Sequence, residues 1–120
     1  MTKILIVEDE ANIRKLISVN LVARGYDVIE AEDARAGLAQ LRDEKPDALL
    51  LDIKLPDMSG WDLLEVMATE PGYPQIPVIV ITASLGNTGP ERKSYKNLRK
   101  VMSKPVSIQE LTREVKAILA

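Results

Sequence analysis

The stretch Ala48–Gly60, with the sequence ALLLDIKLPDMSG, restricts the folds open to this 120-residue chain more than any other. It begins as an unbroken apolar run, which is typical of a strand buried on both faces of a parallel sheet. The run stops at Asp52, and Pro56 and Gly60 then break the backbone. Open α/β sheets bind their ligands beyond the carboxyl ends of their strands. Asp52 is therefore a candidate functional residue, although a lone Asp here can also simply cap the strand or the next helix.

Four other short segments are predicted to be strands because they combine apolar and β-branched residues. They are Lys3–Val7, Asp27–Ala31, Val78–Ile81 and Lys100–Ser103. The second of them alternates partly between polar and apolar residues, which favours a place at the edge of the sheet.

Five helices are predicted from apolar residues at helical spacing and from capping residues at their ends. They are Ala11–Arg24, a helix from Asp33 to about Lys45, a helix from Gly60 to about Glu70, a short irregular helix at Glu91–Leu98, and a last helix opening at Ser107. Strands alternating with helices predict a three-layer α/β fold, a flavodoxin-like doubly wound parallel sheet with strand order 2-1-3-4-5. Residues 1–120 are expected to form a single domain.

The absence of Cys and His from the sequence excludes several kinds of chemistry. There can be no disulfide or thiolate metal ligand, and the usual general base and the usual zinc ligand are missing. Any bound metal is therefore expected to be an oxygen-ligated ion such as Mg²⁺.

The net charge of −2 argues against nucleic-acid binding. The chain opens directly on an apolar strand and has no apolar run of membrane-spanning length, so a cytoplasmic protein without membrane contact is expected.

Polar residues mark the ends of four of the predicted strands. Glu8 and Asp9 follow the first strand, Asp52 ends the third, Thr82 follows the fourth and Lys104 follows the last. In a sheet of order 2-1-3-4-5 the chain reverses direction between strands one and three, and ligands bind at that switch point. We therefore expect the three acids to meet there, flanked by Thr82 and Lys104.

Three carboxylates in one pocket repel one another. Two like charges 4 Å apart cost about 4 kcal/mol at an effective dielectric constant near 20. Either one acid keeps its proton or cations fill the gap, and Lys104 and a divalent ion are the natural candidates. Mg²⁺ prefers one or two carboxylates, several waters and a phosphate oxygen. The pattern thus indicates a site that accepts a phosphoryl group, with Asp52 as its nucleophile.

Four motifs in order, ILIVEDE, LLLDIKLPDMSG, VIVITA and SKP, make the whole chain resemble a receiver domain of a two-component response regulator. The resemblance implies that Asp52 accepts a phosphoryl group from the phosphohistidine of a histidine kinase. It implies that Asp9 binds Mg²⁺ directly, that Glu8 holds a metal-bound water, and that the Lys54 carbonyl completes the protein ligands together with Asp52.

The resemblance also assigns roles to the residues at the other two strand ends. Thr82 resembles the hydroxyl that turns towards the phosphoryl group, and Lys104 resembles its ion-pair partner. The Lys104–Pro105 bond is expected to be cis, as it often is in this family.

A receiver domain acts as a phosphorylation-driven switch. Phosphorylation would pull Thr82 and Lys104 inward and reshape the face formed by the predicted fourth helix, the fifth strand and the last helix. That face would control an attached output domain or a partner protein, and it is also a candidate surface for a homodimer. The chain would catalyse only its own phosphorylation and dephosphorylation, with a sensor histidine kinase or a phosphotransfer protein as donor, so it is not expected to be an enzyme.

Two departures from the family pattern leave an alternative open. Val101 stands where the family usually has Tyr or Phe, and Leu98–Lys100 replaces the usual Ala-Gly-Ala. They prompt a second hypothesis, a phosphorylation-independent interaction module or pseudo-receiver. The complete acid pocket argues against it, because such a module need not keep these side chains. A phosphoaspartate hydrolase is disfavoured because Lys54 occupies the place of its second carboxylate, and a flavin-binding protein because aromatic loops and a phosphate-binding first loop are missing.

A run of basic residues also departs from the pattern, and it indicates either a solvated face or a docking surface for an acidic partner. Its members are Arg92, Lys93, Lys96, Arg99 and Lys100.

Overall fold

The computed structural model describes residues 1–83 and 95–120, and it contains one sheet of five parallel strands. The strands are β1 (Lys3–Val7), β2 (Asp27–Ala31), β3 (Ala48–Asp52), β4 (Val78–Thr82) and β5 (Leu98–Ser103). Their order is β2-β1-β3-β4-β5, so the predicted doubly wound topology is confirmed. The predicted edge strand, β2, lies at an edge.

The described ranges contain four helices rather than the five that were predicted. They are α1 (Ala11–Ala23), α2 (Ala34–Glu44), α3 (Gly60–Thr69) and α4 (Ile108–Leu119), and α4 is the last of the predicted helices. The longest of them has 13 residues, and within residues 1–83 and 95–120 none has the length and apolar character needed to cross a membrane.

The predicted helix Glu91–Leu98 is wrong at its C-terminal end. Residues 91–94 lie outside the described residues, but Lys96 and Asn97 form a turn and Leu98 already belongs to β5. Leu98 pairs with Val78, and the register then shifts so that Lys100 pairs with Ile79. Leu98, which was predicted to end a helix, is thus the first residue of a strand with a bulge after it.

The apolar strands bury both of their faces, which explains their unbroken hydrophobic sequence. One face packs against α2 and α3, and the other packs against α1 and α4. The first cluster includes Leu5, Val7, Leu49, Leu51, Leu41, Leu63 and Met67, and the second includes Ile4, Ile6, Leu50, Ile79, Ile17, Leu21, Leu111 and Val115. Alternate residues of β1 and β3 therefore fix the sheet between its two helical layers.

Helix α3 starts in close contact with the end of β3. A Cβ atom at Gly60 would lie 2.5 Å from the backbone oxygen of Asp52 and 2.8 Å from the Cα atom of Ile53. The Gly60 amide donates a hydrogen bond to the Ile53 carbonyl at 2.7 Å. Only glycine fits at this helix start without moving the backbone that carries Asp52.

The loop after β3 also holds the start of α2. The carboxylate of Asp57 accepts hydrogen bonds from the backbone amides of Ala34 at 2.9 Å and Arg35 at 2.8 Å, while Asp33 accepts one from Ala36. Desolvation acts to raise the pKa of Asp57, but the hydrogen bonds from backbone amides outweigh it and lower this pKa below its ordinary value. Two carboxylates therefore cap the first turn of α2.

We expect Gly60→Ala to destabilise the protein by about 1–3 kcal/mol, the usual cost of adding atoms to a closely packed region. Urea unfolding measures this difference. Thr69→Ala, at the exposed end of the same helix, is the control and is expected to change the free energy of unfolding by less than about 0.5 kcal/mol. An unchanged unfolding midpoint for Gly60→Ala would contradict the close approach of the two backbones.

The lowered pKa of Asp57 makes the stability of the fold depend on pH. The contribution of Asp57 is fully present above the ordinary Asp pKa of about 3.9 and is lost as the pH falls through the lowered folded value. Asp57→Asn is therefore expected to be less stable than the wild type near neutral pH, with a difference that shrinks in acid. Urea unfolding over a pH series tests this, with Asp43→Asn on the exposed side of α2 as the control; a difference independent of pH would rule it out.

Candidate functional site

The strand ends place the predicted acidic residues next to one another. Glu8 directly follows β1, and Asp52 is the last residue of β3, which pairs with β1. One carboxylate oxygen from each of Glu8, Asp9 and Asp52 lies within 4.8 Å of the other two. Glu8 and Asp52 are buried and Asp9 is exposed, so the cluster opens to solvent on the side of Asp9.

The ammonium group of Lys104 bridges the two buried acids. Its Nζ atom lies 2.9 Å from Oε1 of Glu8 and 2.9 Å from Oδ2 of Asp52. The exposed fractions of the three side chains are 16% for Lys104, 3% for Glu8 and 4% for Asp52. A buried charge is stable only when it is paired and hydrogen-bonded, and Lys104 supplies this pairing to both carboxylates at once.

Burial and pairing shift the pKa values of this group. Desolvation raises the pKa of Glu8, with a further contribution from the charge of Asp52, although Lys104 and the Glu10 amide act against it. Desolvation acts to lower the pKa of Lys104, but its hydrogen bonds to Glu8 and Asp52 prevail and raise the pKa of its ammonium. The lysine therefore stays charged between the two buried acids that it bridges.

The acidic cluster could hold a metal ion. All of its donor atoms are carboxylate oxygens, which are the ligands that Mg²⁺ prefers and which do not favour softer metals. Two of the three donors are already fixed by burial and by the bridge to Lys104. The residues present thus fit the metal that the sequence predicts.

The loop after β3 brings Lys54 to the same place. The Lys54 amide donates a hydrogen bond to Oδ1 of Asp52 at 3.2 Å, and Lys54 pairs with Ser59 across the loop in an antiparallel bridge. Oγ of Ser59 caps α3 by accepting a hydrogen bond from the Trp61 amide. The contribution of the Lys54 carbonyl to metal binding stays a prediction.

Thr82 and the segment after β5 complete the group of predicted residues. Thr82 is buried at the end of β4, beside Ser103 of β5, and its carbonyl accepts a hydrogen bond from the Lys104 amide at 3.0 Å. The Lys104–Pro105 bond is cis, as expected. All the predicted site residues therefore lie at one edge of the sheet.

The sequence did not point to Arg14, which contacts the acidic loop from α1. Its guanidinium donates one hydrogen bond to the carbonyl of Glu8 and another to the carboxylate of Glu30 on β2. The one sequence signal was Glu30 itself, a charged residue within an otherwise largely apolar strand.

Two of the four aromatic residues, Trp61 and Tyr95, pack against each other. The ring of Tyr95 stacks on Trp61 with the centroids 6.2 Å apart and the planes 13° apart.

Val101, at the usual aromatic position, is half-buried on β5 beside Val80. Of the basic run, Lys96, Arg99 and Lys100 are exposed, and Arg92 and Lys93 lie outside the described residues.

Comparison with known proteins agrees with this arrangement. Residues 4–116 match the family described as the response regulator receiver domain. The phosphate regulon transcriptional regulatory protein PhoB of Pseudomonas aeruginosa is 38% identical over 120 residues, which cover 97% of this chain and 51% of PhoB. Protein PilH of the same organism is 31% identical, and the match covers 100% of this chain and 99% of PilH. The chain thus spans about half the length of PhoB and nearly all of PilH.

Solved structures have the same fold. The chemotaxis response regulator CheY4 of Vibrio cholerae is similar with a TM-score of 0.89 and 26% identity, covering 99% of both chains. A CheY-like receiver domain protein from Methanospirillum hungatei JF-1 is similar with a TM-score of 0.83 and 30% identity, covering 99% of this chain and 94% of that one. This chain belongs to the response regulator receiver domain family of two-component signalling.

Proposed function

We propose that this domain is a phosphorylation-driven switch in which Asp52 accepts a phosphoryl group from a histidine kinase or a phosphotransfer protein. The observation that carries the proposal is the double bridge from Lys104 to Glu8 and Asp52 beside an acidic cluster open to solvent. This arrangement places the Asp52 carboxylate at a strand end, with one cation of the protein 2.9 Å from it.

The phosphoryl transfer follows from the contacts of Asp52. A carboxylate oxygen of Asp52 attacks the phosphorus atom, an O–P bond forms, and the P–N bond of the donor phosphohistidine breaks with its electron pair going to the imidazole. The ammonium of Lys104, which is 2.9 Å from Oδ2, is close enough to stabilise the negative charge of the phosphoryl oxygens. The Lys54 amide already donates to Oδ1 and can orient the carboxylate.

The metal site of this proposal consists of Glu8, Asp9, Asp52 and the carbonyl of Lys54. Bound Mg²⁺ would supply positive charge that neutralises the phosphoryl oxygens. The exposed carboxylate of Asp9 leaves the site accessible to both the ion and the donor.

The switch would act through Lys104 and Thr82. Lys104 follows β5 directly and is hydrogen-bonded to Thr82, so a change in its ion pairs acts on the ends of β4 and β5 together. We infer a population shift of the face that β5 and α4 form with the segment before β5. An attached output domain, a partner protein or a second copy of the domain would bind this face, and no nucleic acid would bind to the domain itself.

The domain would modify only itself, so it is not proposed to be an enzyme, and a single domain of residues 1–120 acting in the cytoplasm fits this role. The phosphorylation-independent pseudo-receiver has no support in the comparisons. The cluster of Glu8, Asp9 and Asp52, two of which Lys104 bridges, also argues against it, because an interaction surface alone does not require these residues.

Asp52→Asn is expected to abolish phosphorylation, because an amide oxygen is a poor nucleophile and no acyl phosphate can form. Intact-mass spectrometry after incubation with acetyl phosphate and Mg²⁺ measures the phosphorylated fraction. The control is Asp62→Asn in the exposed first turn of α3, which should be phosphorylated like the wild type. If Asp52→Asn gained the same mass to the same extent, another residue would be the acceptor.

Lys104→Ala should destabilise the protein by about 3–5 kcal/mol at neutral pH, because it leaves two buried carboxylates without their shared cation. Mg²⁺ stabilises the protein because it binds the folded state only. Its effect should be larger in this variant than in the wild type, because the two buried carboxylates have lost their shared cation. Urea unfolding with and without Mg²⁺ gives both numbers.

The matched control for this experiment is Lys100→Ala. Lys100 is exposed on β5 and its ammonium lies 3.8 Å from the Glu114 carboxylate, a pair that is worth less than about 1 kcal/mol. Equal stability losses for Lys104→Ala and Lys100→Ala would show that Lys104 does not hold the buried acids together.

A further inference from the structure

Arg14 connects the acidic loop after β1 to α1 and to β2. Its Nη1 atom donates a hydrogen bond to the carbonyl oxygen of Glu8 at 2.6 Å, and its Nε atom donates one to Oε1 of Glu30 at 3.1 Å. The exposed fractions of the side chains of Arg14 and Glu30 are 16% and 31%. A largely buried guanidinium with two fixed acceptors has little freedom to move.

The carbonyl that Arg14 binds belongs to the peptide group between Glu8 and Asp9. The amide of Glu8 donates a hydrogen bond to the carbonyl of Ala31 on β2 at 3.0 Å, and the amide of Glu10 donates one to Oε2 of Glu8 at 3.0 Å. Arg14 therefore adds the contact that fixes the backbone on the Asp9 side of Glu8.

The position of the Asp9 carboxylate depends on this backbone more than the positions of the Glu8 and Asp52 carboxylates do. Glu8 and Asp52 are buried and bridged by Lys104, whereas Asp9 is exposed. Burial does not hold an exposed side chain in one direction, so the position of the Asp9 carboxylate depends on the orientation of the peptide before it.

We propose that Arg14 is a positioning residue that sets the affinity of the site for a divalent cation, by holding the Glu8–Asp9 peptide so that the Asp9 carboxylate faces Glu8 and Asp52. The inference rests on the proposed function in that the acidic cluster binds Mg²⁺. Arg14 itself touches neither the cation nor the phosphoryl group.

The charge of Arg14 and its positioning role predict effects of opposite sign. A positive charge near the site repels a divalent cation, so by charge alone the removal of Arg14 would tighten Mg²⁺ binding. The loss of an outer contact that orients a ligand weakens metal binding, commonly by 10- to 100-fold. The sign of the change therefore separates the two effects.

The test is the Mg²⁺ affinity of the whole chain, measured by isothermal titration calorimetry without any phosphodonor. Arg14→Ala is expected to bind Mg²⁺ at least about tenfold more weakly than the wild type. Arg14→Lys keeps the charge but loses the fork of donors that serves two acceptors, so it should fall between the two.

Glu30→Gln is the matched control on the other side of Arg14. It removes a negative charge but keeps a side-chain oxygen that can accept the hydrogen bond from Nε, and it leaves the bond from Nη1 to Glu8 in place. Its Mg²⁺ affinity should stay within about threefold of the wild type, well short of the tenfold loss expected for an orienting contact. A loss in Glu30→Gln as large as in Arg14→Ala would overturn the positioning role of the Glu8 contact.

Thermal unfolding without Mg²⁺ shows whether each variant is folded before the titration. Should Arg14→Ala fail to unfold cooperatively, Arg14→Gln, which can still donate one hydrogen bond, replaces it and is expected to bind Mg²⁺ more weakly than the wild type. Unchanged or tighter binding in a folded Arg14 variant would overturn this inference alone. A wild-type chain that binds no Mg²⁺ would overturn the metal site of the proposed function as well.

Discussion

Two carboxylates buried around one ammonium group constrain the rest of this structure. Glu8 and Asp52 are each 2.9 Å from Lys104 and nearly inaccessible to solvent, and the loss of the Lys104 charge would leave both carboxylates buried without a partner. The three residues follow or end β1, β3 and β5, and β4 lies between the last two strands. Lys104 must therefore reach past the end of β4, which requires the registers of all four strands to be correct together.

The site was largely predictable from the sequence because a charged or polar residue stands at the end of each strand that contributes to it. Glu8, Asp52, Thr82 and Lys104 each stand where an apolar run stops, and the order of a doubly wound sheet brings such ends together. The start of β5 was not predictable in this way. Leu98 is apolar in either a helix or a strand, and only its pairing with Val78, 20 positions earlier, and the bulge that follows it show which one forms.

The contacts that orient the site were not visible in the sequence because they join residues from different elements. Arg14 and Glu30 are 16 positions apart, and Asp57 and Ala34 are 23 positions apart. Each of these residues is also common on an exposed helix or in a loop, where it needs no partner. Gly60 was expected to interrupt the backbone. The structure instead shows that a glycine is needed for steric reasons, because this residue lies against the backbone oxygen of Asp52. A spacing pattern reports periodicity along one element, whereas such contacts depend on how elements pack.

The stack of Trp61 and Tyr95 has a practical consequence. Trp61 is the single tryptophan of the chain, it immediately follows the glycine that touches the backbone of Asp52, and its ring lies against a residue that precedes β5. Its indole therefore spans the two regions through which a signal would pass. The intrinsic fluorescence of Trp61 should therefore change when the edge of the sheet rearranges, and it can be followed in real time without an attached dye.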